Sequence, residues 1–120
     1  MAENVEEYLE TFEPDVQGIL QSVRLAIHRG VPGASEEIHE GVPAILLGDR
    51  CAFHFGGTAH DVRLSPVPHF DGPLEADVSR YRADDDAVCF LYTEDVPYEL
   101  IQHLASAIGA QHLETQQPTV

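Results

Sequence analysis

The sequence predicts an α+β domain, with N- and C-terminal helices packed on one face of an antiparallel sheet. Three observations predict it. Apolar residues recur at helical spacing at both ends: Val16, Ile19, Leu20, Val23 and Ile27 early, then Leu100, Ile101, Leu104 and Ile108 late. Between them lie short apolar or alternating runs bounded by Gly and Pro, which is strand grammar. The links between the first four of those runs are too short for helical crossovers, so neighbouring strands must run antiparallel.

Taken in order, residues 3–12 form a first helical segment. Val5, Tyr8, Leu9 and Phe12 line its apolar side. Pro14 suits a helix N1 position, and Glu13 and Asp15 favour a first turn, so a longer amphipathic helix spans residues 14–29. Gly30 and Pro32 stop it, and Gly18 weakens it mildly. Residues 36–40 make a short strand closed by Gly41 and Pro43, and residues 44–47 a second. Gly48-Asp49 signals a turn. Residues 50–55 alternate, with Cys51, Phe53 and Phe55 on one face and Ala52 and His54 on the other. Gly56-Gly57 breaks that strand, and residues 61–64 supply the next, with Val62 and Leu64 on one face. Three prolines make residues 65–73 a loop before a short helix over 74–81. After a polar link at 83–86, residues 88–92 are rich in β-formers. Pro97 opens the last helix, residues 97–112. No repeat or linker divides the chain, so residues 1–113 are expected to form a single domain and 114–120 a flexible C-terminal tail.

Composition narrows the function. The chain has 120 residues, 21 acids against six arginines, no lysine, and a formal net charge of −15. Nucleic acid is excluded as an expected partner, because phosphate binding needs basic groups. Anionic membrane surfaces are disfavoured for the same reason. The charge suits cations, a basic protein partner, or plain solubility. Cys51 and Cys89 lie in apolar strand-like runs without a CxxC, and read as two reduced core thiols. The acidic N-terminus does not read as a secretory signal, and no apolar run approaches ~18 residues. The expected compartment is the cytoplasm.

The order and spacing of several short stretches resemble the YdhG-like family, a bacterial family grouped under a domain of unknown function. Val5-Glu6-Glu7-Tyr8 is similar to its opening stretch, and Val23-Arg24-Leu25-Ala26-Ile27 to its first-helix pattern. Ile38-His39-Glu40-Gly41-Val42-Pro43 is similar to the stretch that follows, although Glu40 stands where an aromatic or His usually precedes the Gly. Ala52-Phe53-His54-Phe55, Asp61-Val62-Arg63-Leu64 and Val88-Cys89-Phe90 match its strands. Asp95-Val96-Pro97-Tyr98-Glu99-Leu100-Ile101 matches the start of its last helix. The resemblance covers about residues 5–108. It implies a compact helix–sheet–helix domain of frataxin-like type. For some members it implies an iron chaperone that delivers iron for iron–sulfur cluster or haem assembly. One departure stands out: Arg82-Ala83-Asp84-Asp85-Asp86 replaces lysines that family members usually carry before the strand at 88–90.

The candidate chemistry centres on carboxylates. Glu3, Glu6, Glu7 and Glu10 are spaced i, i+3, i+4, i+7, which places them on one helix face. Hard cations prefer oxygen ligands, so this face is a candidate site for weakly bound iron(II). By the family resemblance it would be an acidic ridge, with Glu36, Glu37 and Glu40 alongside and an iron-acceptor protein as partner. Like-charge i, i+4 pairs cost only ~0.2–0.5 kcal/mol each, so a solvated stripe without metal is equally tolerable. The seven histidines show no HxH or HExxH pair, though His54 and His60 could meet across a hairpin. Asp84-Asp85-Asp86 lacks the Gly and terminal Glu of a calcium loop. No nucleophile elbow or phosphate loop occurs, so an enzyme is not expected. The alternative to metal handling is a protein-interaction or small-ligand module with a groove between sheet and helices.

Overall fold

The computed structural model describes residues 3–84 and 86–116. The chain forms α1 (Val5–Glu10), α2 (Pro14–Gly30), β1 (Ser35–His39), β2 (Val42–Leu47), β3 (Arg50–Gly57), β4 (Asp61–Ser65), α3 (Pro73–Val78), β5 (Val88–Leu91) and α4 (Tyr98–Gln116). A 3-10 turn, Ser79–Tyr81, extends α3. The five strands form one sheet in chain order, every neighbouring pair antiparallel. The expected α+β fold is therefore present. α4 continues through Gln116, three residues beyond the expected domain end at 113. The rest of the expected tail, residues 117–120, lies outside the described residues.

The apolar stripes meet as their spacing requires. Leu20, Val23 and Ile27 of α2 and Ile101, Leu104 and Ile108 of α4 are buried with Phe53, Phe55, Val62, Leu64 and Phe90 of the sheet. α2 and α4 lie against each other at Gly30, where a β-carbon would run into the Gln102 carbonyl oxygen and the Ala105 methyl group. Gly stops the helix by sequence grammar, and here it also lets two backbones approach.

Some details differ from the sequence expectation. The first helix starts at Val5 rather than Glu3, because Asn4 caps it: Asn4 Oδ1 accepts the Glu7 N–H at 2.9 Å. The β1–β2 link is a two-residue turn, Glu40-Gly41, with φ of 54° and 85°. Positive φ at both central residues suits the right-handed twist of a hairpin. Glu40 is therefore a turn residue and not the end of a strand.

A further difference shapes the site. β3 is bulged. Ile45 faces Phe53 and Leu46 faces Cys51, so Ala52 has no partner on β2. An extra residue resets the alternation of side chains. Ala52, Phe53 and Phe55 are all buried, while Cys51 and His54 are only half-buried. The expected sharing of faces, Cys51 with the phenylalanines, is thus corrected. Cys51 shares the open face of the sheet with His54.

Candidate functional site

The acidic ridge does not assemble as expected. Glu3 precedes α1, and its N–H donates to Glu7 Oε1 at 2.8 Å, so Glu7 is turned toward the helix start. Glu6 and Glu36 do come together, but through a cation. Arg24 of α2 donates to Glu36 through Nε at 2.8 Å and Nη2 at 2.6 Å, and to Glu6 through Nη2 at 2.8 Å. His28 Nε2 lies 2.8 Å from Glu36 Oε2, the oxygen that also accepts from Arg24 Nε. Burial pushes the Glu36 carboxyl up, and the Arg24 and His28 partners outweigh it, so the net direction is down. The Arg24 hydrogen bond also lowers Glu6. Glu37 alternates to the opposite face of β1 and meets His39 instead, Oε2 to Nε2 at 2.8 Å. Glu10 borders a shallow groove with Gln17 and Gln21, and Glu40 stays exposed in its turn. The seven proposed carboxylates are therefore dispersed, and Glu36, the most buried among them, is neutralised by arginine.

A different set converges. His39 of β1 and Cys51 and His54 of β3 each present one ligand atom, all within 4.8 Å of one another. Among the described residues this is the group with metal-holding geometry. Cys51 Sγ lies 3.8 Å from His54 Nε2 and 4.0 Å from Nδ1. The two imidazoles meet edge to face at 6.2 Å between centroids. Ala44 sits in the cross-strand row between Glu37 and His54 and is fully buried. Its single methyl group leaves the space above it to the larger side chains around. Burial pushes the Cys51 thiol up, so a metal ion there must displace its proton.

The expected pairing of His54 with His60 is not made. His54 faces Ser65 across β4, whereas His60 lies in the exposed β3–β4 turn. There its N–H donates to Thr58 Oγ1 at 3.1 Å and its carbonyl accepts from Tyr92. The core-thiol expectation is corrected too. Both cysteines are free and half-buried, and Cys89 opposes Arg63 on β4. Cys51 and His54 are three apart, which on a regular strand means opposite faces. Only the bulge brings them together, and no residue at 51–53 announces it.

A groove of about 500 Å³ lies where α2 ends, between Val31, Pro32, Leu47, Gly109 and Ala110. Among the described residues no charged side chain lines it. Elsewhere Arg82 clamps the loop before α3. It donates to Glu75 and to the carbonyls of Val67 and Pro68. Asp84 pairs with Arg63 at 2.9 Å, and Asp85 lies outside the described residues. No helix among the described residues is long and apolar enough to cross a membrane.

A five-stranded meander backed by two long helices, with a half-exposed His–Cys–His group on its open face, defines the class: a small helix-and-sheet domain with one candidate metal centre. No known family profile matches the chain, and no curated protein matches it by sequence. Its fold is similar to a crystal structure of a DUF1801 family protein, YdhG, from Bacillus subtilis. The TM-score is 0.78 over 93% of each chain, at 16% identity. The expected YdhG-type fold is therefore present. At that identity the likeness carries the fold alone, and neither the frataxin type nor iron delivery follows from it.

Proposed function

We propose that this protein binds a borderline transition-metal ion through His39, Cys51 and His54, and passes it on rather than holding it permanently. The convergence of those three ligand atoms carries the reading. A tetrahedral zinc site, with metal–ligand bonds of about 2.0–2.3 Å, sets its ligand atoms roughly 3.3–3.6 Å apart. Side-chain rotations that close the present spread by roughly 1 Å would reach that spacing. Three protein ligands leave a fourth position open, and the site is half-exposed, which favours exchange with an acceptor protein. One thiolate with two imidazoles favours zinc or cobalt(II) over iron(II). The metal-handling expectation is kept, with its site moved from the α1 carboxylates to the sheet. Iron(II) becomes a weaker cargo. The small-ligand alternative has the groove near Leu47, but among the described residues Ser106 alone offers it a polar side chain, where a ligand site needs several that converge.

Anaerobic titration with cobalt(II) tests the reading. The expected result is one equivalent bound, with a thiolate-to-cobalt charge-transfer band. Cys51→Ser should abolish the band, and His39→Ala or His54→Ala should weaken binding at least tenfold. Changing Glu3, Glu6, Glu7 and Glu10 together to Gln should leave it intact. Binding that survives Cys51→Ser but disappears with those glutamates would restore the acidic ridge and sink the sheet site. An iron(II) arm in the same cell should show weaker binding than cobalt(II).

A further inference from the structure

We infer that the open side of this metal centre takes a small oxyanion, a phosphate or carboxylate group, held between the metal and Arg63. The inference rests on the metal reading above. Beside His54 lies a groove of about 190 Å³, lined also by Val42, Gly56, Arg63 and Ser65. The strand register explains it. Val42, Gly56 and Arg63 sit on β2, β3 and β4 on the face that carries His54, and Gly56 is directly opposite Arg63. Gly56 has no side chain, so the groove stays open between its His54 and Arg63 sides. The direct cross-strand neighbour of His54 is Ser65, whose hydroxyl offers one further donor at the rim.

Charge makes the choice of ligand class. In a chain of net charge −15, an anion is held only where local positive charge outweighs the general field. Arg63 is the arginine that lines this groove among the described residues. Its Nη1 donates to Asp84 Oδ2 at 2.9 Å, and the guanidinium also interacts with Cys89. A guanidinium has five N–H donors in a planar fork, so the Asp84 bond leaves donors for an oxyanion. A divalent ion bound through His54 would supply the second positive centre, with one coordination position unfilled by protein. One anion oxygen on the metal and another on the fork is the arrangement such a pair recognises.

The test uses the full chain loaded with cobalt(II), whose visible spectrum responds to a change of ligand. Inorganic phosphate and acetate are added in separate titrations, and cobalt affinity is measured first for every variant. Saturable spectral shifts are expected, with the tighter probe marking the source as phosphate or carboxylate. Arg63→Ala should weaken the shift at least tenfold, and Arg63→Lys should weaken it less. Gly56→Ala gives an independent check, because a β-carbon there meets only ordinary contacts, the Tyr8 hydroxyl at 3.4 Å and Val42 at 3.5 Å. It should narrow the groove and weaken anion binding. Cobalt bound with no response to either anion would overturn this inference and leave the metal reading standing. A response of full strength in Arg63→Ala would overturn it too, since the anion would then touch the metal alone. Failure to bind cobalt at all would remove both.

Discussion

Arg24 ties three elements together from the middle of α2. It reaches Glu6 on α1 and Glu36 on β1, and its guanidinium is mostly buried, with 16% of the side chain exposed against 14% for Glu36. Hydrogen bonds to charged groups at such sites contribute about 1.5–3 kcal/mol, and more is lost when a half-buried charge is left behind. Arg24→Leu should therefore lower stability by about 2–3 kcal/mol, read from urea unfolding midpoints. Adding Glu36→Leu should recover part of the loss, because the stranded carboxylate goes with it. The family resemblance set Glu6 and Glu36 near one another, which spacing alone did not. The sequence did not make Arg24 legible as their partner, because a contact twelve or eighteen residues away has no local signature. The Asn4 cap is the opposite case. An Asn three residues before a Glu at the start of an apolar-periodic run is a local signal, which the expectation of a helix from residue 3 did not use.

At the level of elements, the helices follow from period and punctuation, and the α2–α4 contact follows from one residue. Gly30 ends α2, and its missing side chain also makes room for the Gln102 carbonyl and Ala105 of α4. Gly30→Ala would force the Gln102 backbone and Ala105 outward. Overpacking of this kind costs about 1–3 kcal/mol, so a fall of that size in chemical denaturation is expected, whereas Gly33→Ala, which meets nothing within 4 Å, should be close to neutral. The strands were legible as strands, and the first four as a meander, since their links are short. β5 pairing with β4 was not legible in the same way, because α3 and its loop intervene and either sheet edge was open to it. The bulge at Ala52 was invisible as well. Alternation predicts faces only while the register is unbroken, and the residue that breaks it is an ordinary alanine.

For the whole molecule, two half-exposed groups set opposite limits on pH. The Arg82 hydrogen bond, with the Phe70 N–H, holds Glu75 at about 2. A depressed carboxyl stabilises the fold above its unfolded value near ~4, and that contribution is lost as pH falls toward 2. Burial, with Asp61 and Tyr8 nearby, pushes Tyr92 up to about 12. A raised phenol contributes fully below its unfolded value near ~10, and the contribution is lost as pH rises through 12. Thermal unfolding across pH should show a plateau between these limbs, with Glu75→Gln flattening the acid limb and Tyr92→Phe the alkaline one. By itself the sequence determined the fold class, the order of elements, the helix faces and the anionic character of the surface. Each of these depends on local spacing or on composition, which a chain carries without folding. Tertiary structure alone decided that Arg24 occupies the expected ridge, and that His39, Cys51 and His54 meet above Ala44. Those facts depend on register across strands and on one unpaired residue, and register exists only once the sheet has formed.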